Sequence, residues 1–329
     1  MDTVGILGAG AWGTALAIAL ARNGRQAILW AREAGLAQAM REARENTSFL
    51  KGHRLPPGVV PVDDFVAATA CDLVVAAPAM AGLRPTFAAL AAQRATVGVI
   101  WLCKGFEAGS GMLAHQVAGE TLAAGTPRGA LSGPSFAAEV AQGLPVALTL
   151  ATVDQVFAAD AARLLHGGNL RIYTSDDLVG VEIGGAVKNV IAIAAGISDG
   201  LGLGLNARAA LVTRGLAEMA RLGRAMGAKP ETFMGLTGMG DLILTTTGDL
   251  SRNRTVGRKL AEGGGLDAVL AGLGHVAEGV PTARETLVLA QRYGVEMPIT
   301  RAVCAILFNG VGPRQAVTEL LARDARSEV

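Results

Sequence analysis

The chain contains few of the residues that build disulfide frameworks and metal sites. Its 329 residues include only three cysteines and four histidines. The cysteines at positions 71, 103 and 304 form no C-x-x-C pair, and the histidines form no H-x-x-x-H pair. This scarcity predicts free thiols in a reducing cytoplasm and no bound metal ion.

A strong charge of either sign is also missing. Lysine and arginine number 29 against 28 acidic residues, so the formal net charge is +1. That balance argues against nucleic acid or an anionic membrane as the main partner. The chain is 51% hydrophobic and 17% charged, which indicates a large core, and its length suggests two domains. The apolar stretch 4–21 follows Asp2 and contains a glycine turn, so we expect a buried strand and helix there and no membrane span.

A glycine-rich turn stands close to the N-terminus. Gly8, Gly10 and Gly13 form a G-x-G-x-x-G motif around Ala11 and Trp12, between an apolar run and a helix-forming stretch. In such a motif the first glycine makes a tight turn, the second lets a pyrophosphate approach the backbone, and the third lets helix pack on strand. The N–H groups of the helix N-terminus attract the anion. The motif therefore predicts a dinucleotide site.

The end of the next strand bears on which dinucleotide is bound. An acidic residue there typically bonds the ribose 2′-hydroxyl of NAD, whereas this strand ends Trp30-Ala31-Arg32-Glu33. Arg32 offers a charge-assisted fork to a 2′-phosphate, which favours NADPH over NADH. Two alternatives stay open: Arg32 is a solvated helix start, or Glu33 faces the ribose and NADH is used as well.

Apolar strand-like runs alternate with helix-like stretches over the first half of the chain. This alternation predicts an α/β Rossmann-type doubly wound parallel sheet over residues 1–175. Residues 176–329 are predicted to form an all-α C-terminal domain, with Asp176 and Asp177 starting its first helix and Asn206 capping a helix over Ala207–Met226. The predicted strands are Val4–Leu7, Gln26–Trp30, Leu73–Ala76, Val97–Leu102, Gly129–Leu131, Val146–Leu150 and Leu170–Tyr173.

Four further segments carry residues suited to chemistry, each with an ordinary structural alternative. Lys188 lies in an otherwise apolar helix, where it either has a functional partner or extends to the surface. Asp241 follows a glycine turn and, taken alone, is best explained as a helix cap. The segment 251–254 is either a phosphate site or a solvated basic turn, and the segment 132–137 either offers backbone donors or is a plain turn.

Taken together, these segments resemble the bacterial NAD(P)-dependent glycerol-3-phosphate dehydrogenases. The stretch from Gly185 to Ala192, followed by Gly196, is similar to the family's sequence around its catalytic lysine. The other matching segments occur in family order, and the resemblance covers nearly the whole chain. They are Lys104-Gly105-Phe106-Glu107, Ser132-Gly133-Pro134-Ser135, Gly240-Asp241-Leu242, Ser251-Arg252-Asn253-Arg254 and Val276-Ala277-Glu278-Gly279.

The resemblance implies a 6-phosphogluconate-dehydrogenase-like plan with a site in the cleft between the two domains. It implies the reduction of dihydroxyacetone phosphate to sn-glycerol 3-phosphate for phospholipid synthesis. Catalysis is assigned to Lys188, Asp241 and Lys104. Substrate binding is assigned to Lys104, Gly133, Ser135, Lys188, Asn189, Asp241, Ser251, Arg252 and Asn253. Cofactor binding is assigned to Gly8, Gly10, Ala11, Trp12, Gly13, Arg32, Lys104, Ala137, Arg252, Val276 and Glu278.

The chain departs from the family at two places, and two other functions stay open. Ala11 stands where the family usually has serine, and Phe49 to His53 depart from a tyrosine-containing version. One alternative is a related two-domain reductase of another small keto or hydroxy acid. The other is a non-catalytic NADPH-binding sensor. The expected partners are a phosphorylated triose and, because helical second domains often supply such an interface, a second copy of the chain in a homodimer.

Overall fold

The computed structural model describes residues 2–93, 97–273 and 277–322. The chain divides into two units, one of Met1–Glu107 and Met112–Glu182, the other of Ala108–Gly111 and Ile183–Val329. The predicted boundary at 175 coincides with the end of the last strand, whereas the units divide after Glu182, inside a long helix. The C-terminal residues 323–329 lie outside the described part.

The first unit is built on an eight-stranded sheet with the order β3-β2-β1-β4-β5-β6-β7-β8. All neighbouring strands are parallel except β6 and β7. The strands are β1 (Thr3–Leu7), β2 (Gln26–Trp30), β3 (Val59–Val62), β4 (Leu73–Ala76), β5 (Val99–Trp101), β6 (Arg128–Ser132), β7 (Val146–Ala151) and β8 (Leu170–Ser175). The predicted Rossmann-type arrangement is therefore confirmed for this unit.

The seven predicted strands are all present, and β3 is the strand that the sequence pattern missed. It reads Val-Val-Pro-Val, and Pro61 argues against a strand because proline has no N–H for the ladder. The structure places β3 at the edge of the sheet, paired only with β2, where a missing donor is tolerated. The strand predicted over Val97–Leu102 is shorter, Val99–Trp101.

The antiparallel pair β6 and β7 is a second departure from the predicted parallel sheet. A parallel connection must carry the chain back across the whole sheet. Between these strands the chain forms a single helix of six residues, Ala137–Gln142, which is about 9 Å long at 1.5 Å per residue. So short a helix does not return the chain to the end of the sheet at which β6 begins. Strand β7 therefore starts near the end of β6 and runs antiparallel to it.

Helices cover both faces of the sheet, as a doubly wound fold requires. One core cluster packs Leu16, Met40 and Phe157 against one face, and another packs Phe87 and Val117 against the other. These helices are α1 (Ala11–Arg22), α2 (Ala34–Ala43), α3 (Phe65–Thr69), α4 (Leu83–Ala92), α5 (Ala114–Thr121), α6 (Ala137–Gln142) and α7 (Gln155–Leu165), with a 3₁₀ turn at Met80–Gly82.

The second unit is helical, and its described residues contain no strand, which confirms the predicted all-α region. It comprises most of α8 (Leu178–Gly200), then α9 (Gly204–Ala225), α10 (Pro230–Phe233), α11 (Asp241–Thr247), α12 (Arg252–Ala261), α13 (Leu266–Leu273), α14 (Gly279–Arg292), α15 (Pro298–Phe308) and α16 (Pro313–Leu321). Asp177 starts α8 as predicted, since its Oδ1 accepts the Gly180 N–H at 2.9 Å. The predicted cap Asn206 is wrong, because α9 begins at Gly204, three residues before the predicted start, and Leu203 occupies the cap position.

Helix α8 is long and apolar enough to cross a membrane by length and composition alone. However, 89% of its most apolar window is buried inside the protein, as in a core helix. Glycines let α12 approach its backbone: a Cβ on Gly196 would stand 2.0 Å from the Arg254 carbonyl oxygen, and one on Gly257 would stand 2.0 Å from that of Ile193. This contact fixes α12, and the residues at its start, against α8.

Candidate active site

The three glycines of the N-terminal loop each meet a different steric demand. Gly8 has φ +130°, and a Cβ there would stand 2.9 Å from the Ala77 backbone. A Cβ on Gly13 would stand 2.1 Å from the Gly8 carbonyl oxygen, so α1 packs directly on the turn. Around Gly10, by contrast, no described atom outside the adjacent residues lies within 4 Å of a Cβ position. The loop therefore has a tight turn, a close packing contact and an open backbone surface, which fits a dinucleotide pyrophosphate.

A chain of hydrogen bonds joins the glycine loop to the segment after β6. The Trp12 indole Nε1 donates to Ser135 Oγ at 3.1 Å, and that hydroxyl donates to the Gly133 carbonyl oxygen at 3.1 Å. Lys104 Nζ donates to the same carbonyl at 3.2 Å. Four predicted site residues of the first unit are thus brought together. Ala11 is the first residue of α1, and Ala137 is the first residue of α6.

Arg32 lies just beyond the end of β2 and is paired with its neighbour. Its Nη2 is 2.7 Å from Glu33 Oε1, with the side chains 82% and 59% exposed. This hydrogen bond lowers the pKa of Glu33. Because an ion pair this exposed contributes at most about 1 kcal/mol, Arg32 is readily available to another anion.

The second unit buries a charged pair. Lys188 is 6% exposed on α8 and Asp241 is 1% exposed at the start of α11. Lys188 Nζ donates to Asp241 Oδ1 at 2.5 Å and to Thr245 Oγ1 at 2.8 Å. Their chain neighbours Val187 and Leu242 are fully buried as well. A buried ammonium requires such partners, so the surface alternative for Lys188 is excluded, and Asp241 does more than cap a helix.

A turn of π-helix immediately before α11 positions Asp241 next to Lys188. One turn of π-helix, Leu236–Gly240, precedes α11, and Gly240 N donates to the Gly235 carbonyl oxygen at 3.1 Å. Such turns occur frequently at functional sites. Thr245 lies one helical turn after Asp241 and donates to its carbonyl oxygen at 2.6 Å. Thr245 was not among the predicted site residues, although its spacing of four residues from Asp241 on one helix face was a usable signal.

The start of α12 carries the predicted phosphate residues. Ser251 is buried and caps the helix, with its Oγ accepting the Arg254 N–H at 3.3 Å. Arg252 follows as the first helical residue; part of its side chain reaches solvent, while protein atoms surround the rest. Desolvation by the surrounding protein lowers the pKa of Arg252, and the Glu278 carboxylate opposes that shift. A guanidinium beside the N–H groups of a helix N-terminus is suited to an anion.

Two buried asparagines connect α8, the helix that carries Lys188, to α12 and α14. Asn253 Nδ2 donates to Asn189 Oδ1 at 2.9 Å, and Asn253 Oδ1 accepts the Gly279 N–H at 3.0 Å. Asn189 Nδ2 also donates to the Gly185 carbonyl oxygen at 3.3 Å. Glu278, the residue before Gly279, is half-buried, and Val276 lies outside the described residues. The pair of Asn189 and Asn253 therefore links α8 to α12 and, through the Gly279 N–H, to α14.

An open dinucleotide loop on a parallel sheet, together with a buried lysine–aspartate pair on helices, defines a nicotinamide-dependent oxidoreductase. Two family profiles describe its halves. The profile of the NAD-dependent glycerol-3-phosphate dehydrogenase N-terminus matches residues 3–158, and that of the C-terminus matches residues 177–318. The chain belongs to the NAD-dependent glycerol-3-phosphate dehydrogenase family.

Individual relatives agree with this assignment over nearly the full length. The chain is 59% identical to glycerol-3-phosphate dehydrogenase [NAD(P)+] of Dechloromonas aromatica over 325 residues, which covers 98% of each protein. It is 57% identical to the protein of that name from Thiobacillus denitrificans, again covering 98% of each. The crystal structure of glycerol-3-phosphate dehydrogenase from Coxiella burnetii superposes with a TM-score of 0.94 at 40% identity, covering 98% of this chain and 99% of that one. The protein is thus an oxidoreductase that uses a nicotinamide cofactor.

Proposed function

We propose that the protein reduces dihydroxyacetone phosphate to sn-glycerol 3-phosphate with Lys188 as the proton donor. The observation that carries this proposal is the buried contact of Lys188 Nζ with Asp241 Oδ1 at 2.5 Å and Thr245 Oγ1 at 2.8 Å. It holds an ammonium in a low-dielectric environment, where its charge acts strongly on a nearby oxygen.

The chain's own residues then perform the proton chemistry. When bound, the nicotinamide supplies the hydride that the ketone carbon accepts. The Lys188 ammonium neutralises the charge that develops on the ketone oxygen and donates a proton to it. Asp241 stabilises the ammonium form before transfer, and Thr245 fixes where Nζ points. In the reverse direction Lys188 acts as a neutral amine and accepts the proton of the hydroxyl group.

We assign the substrate phosphate to the start of α12. Arg252 supplies a guanidinium there, and binding the phosphate away from the reacting carbon aligns the ketone. Ser251, Asn253 and Asn189 support this site through the cap and the amide bonds described above, and their direct contact with substrate stays a prediction. Lys104, Gly133 and Ser135 form the proposed substrate and cofactor contacts of the first unit.

We further propose NADPH as the preferred cofactor, because Arg32 is exposed and held only by a weak surface pair. Gly8, Gly10, Ala11, Trp12 and Gly13 hold the pyrophosphate, with Ala137, Val276 and Glu278 as additional contacts. Because sn-glycerol 3-phosphate is a head-group precursor of phospholipids, we further propose a role in phospholipid synthesis, and we expect the enzyme to work in the cytoplasm as a homodimer.

The test is the loss of nicotinamide absorbance when purified protein meets dihydroxyacetone phosphate, with NADPH and NADH measured side by side. We expect oxidation of both, with a higher kcat/KM for NADPH. Arg32→Ala should remove most of that preference, while Glu33→Ala should retain it. Equal kcat/KM values for the two cofactors in the wild type would contradict the preference. Cofactor binding without oxidation would favour another keto-acid substrate or a sensor.

A further inference from the structure

The shape of the glycine loop depends on a side chain far from it in sequence. Asn46 is fully buried, and its Nδ2 donates to the Ala9 carbonyl oxygen at 2.8 Å and to Thr14 Oγ1 at 2.8 Å. Its Oδ1 accepts the Phe49 N–H at 3.1 Å. Both amide hydrogens and the amide oxygen are thus engaged. Thr14 is itself fully buried in the first turn of α1.

These bonds hold the loop on both sides of its open glycine. Ala9 immediately precedes Gly10, and Thr14 lies one turn after it. The Thr14 N–H also donates to the Gly10 carbonyl oxygen at 3.0 Å. One side chain therefore fixes the loop's entry into α1 and the helix turn that follows.

The bond to Ala9 also determines where the Gly10 N–H points. The chain has no cis peptide bond among its described residues, so the Ala9–Gly10 peptide is trans and planar. In a trans peptide the carbonyl oxygen and the amide hydrogen lie on opposite sides of the C–N bond. Because Asn46 holds the oxygen on the buried side, the Gly10 N–H faces the opposite way. The backbone is open at this residue: outside Ala9, Gly10 and Ala11, no described atom lies within 4 Å of a Cβ position on Gly10.

We propose that Asn46 is a positioning residue for the cofactor: it presets the Gly10 N–H to donate to the pyrophosphate of a nicotinamide dinucleotide. The inference rests on the proposed use of this loop for NAD(P)H. A preset donor does not lose conformational freedom on binding, so Asn46 contributes to cofactor affinity without touching the cofactor. Substrate affinity and the proton transfer by Lys188 should depend on it little.

The primary variant is Asn46→Asp, which preserves the shape and the acceptor for Phe49 but places a carboxylate oxygen against the Ala9 carbonyl. We expect the Kd for NADPH, measured without substrate by fluorescence titration, to rise about ten- to hundredfold. At saturating NADPH, kcat and the KM for dihydroxyacetone phosphate should stay within about threefold. A general loss of stability would not raise the Kd for NADPH while leaving kcat and the substrate KM nearly unchanged.

A second pair of variants serves if Asn46→Asp does not fold. Thr14→Val removes one acceptor of the Asn46 amide and should raise the Kd about three- to tenfold, whereas Thr14→Ser keeps the hydroxyl and should restore binding. The matched control is Thr152→Val. This fully buried threonine accepts the Asp154 N–H at 3.2 Å, and its loss should lower the melting temperature without changing the Kd.

The outcomes separate this inference from the proposed function. The role of Asn46 would be overturned if Asn46→Asp or Thr14→Val folds and keeps the wild-type Kd. A rise in Kd that Thr152→Val reproduces would overturn it as well. Neither result would bear on the proposed use of the loop. Wild-type protein that binds neither NADPH nor NADH would overturn the proposed use of the loop, and the inference with it. If the Kd rises in Asn46→Asp and Thr14→Val but not in Thr152→Val, the result would support both the role of Asn46 and the use of the loop for the cofactor.

Discussion

The buried pair of Lys188 and Asp241 should be energetically coupled, and a double-mutant cycle measures that coupling. The variants are Lys188→Met, Asp241→Asn and the combination of both. Asp241→Asn leaves an ammonium that is 8% exposed by side-chain area without its counter-charge 2.5 Å away. Removing one partner of such a pair costs about 3–5 kcal/mol, whereas replacing both with neutral groups often costs little.

The expected magnitudes follow from that asymmetry. For a unit of this size, about 3–5 kcal/mol corresponds to a fall of roughly 6–20 °C in the calorimetric melting temperature of Asp241→Asn. The double variant should be more stable than the sum of the two single losses predicts, by about 2–3 kcal/mol. Its activity should be no lower than that of Lys188→Met, because the proton donor is already gone. Losses of stability that add within about 0.5 kcal/mol would refute the coupling, and with it the assignment of Asp241 as the counter-charge.

Four further predictions concern the site and its surroundings. Thr245→Val should lower kcat about tenfold, because it removes the hydroxyl that holds Lys188 Nζ in place. The control is Thr246→Val on the same helix. The Thr246 hydroxyl donates to backbone carbonyls, so this variant should retain wild-type kcat in the absorbance assay. Arg252→Ala should lower kcat/KM for dihydroxyacetone phosphate by about one to three powers of ten, and an unchanged value would remove Arg252 from the phosphate site. The rate of glycerol 3-phosphate oxidation should rise with pH more steeply than the rate of ketone reduction, because oxidation needs the neutral amine of Lys188; parallel pH profiles would argue against Lys188 as the acid and base. Burial raises the pKa of Glu218 above its usual 4.5, so between these two pKa values the folded state holds a proton that the unfolded state releases. The melting temperature should therefore fall as the pH rises from 4.5 through the folded pKa. If Glu218→Gln shows the same pH profile, Glu218 is not the source of the pH dependence.

The sequence was sufficient for the parts of the fold that are determined by local patterns. Apolar runs and glycine turns identified seven strands, because buried parallel strands are continuous hydrophobic segments. The edge strand β3 was not predicted, because proline is excluded from central strands and Pro61 therefore argued against a strand. Only the sheet order shows that this strand lies at the edge. The antiparallel turn from β6 to β7 depended on the length of α6, which sequence patterns give poorly.

The candidate site shows the same division between local and distant information. Lys188 stood out because charged residues in apolar helices are uncommon, whereas Asp241 alone indicated a helix cap and entered the site only through the family resemblance. Asn46 had no comparable signal, since its partners Ala9 and Thr14 are 37 and 32 residues away. Nor could spacing reveal that Asn189 and Asn253 bond to one another, because that contact depends on how closely α8 and α12 pack at their glycines.

The most direct test of the account is the rate of a single turnover in wild-type protein and in Lys188→Met, measured with saturating NADPH and dihydroxyacetone phosphate. Cofactor binding is recorded on the same samples. If Lys188 donates the proton, the variant should bind NADPH with wild-type Kd and oxidise it at least about a thousandfold more slowly. Oxidation within about tenfold of the wild-type rate, at full cofactor occupancy, would contradict the central claim.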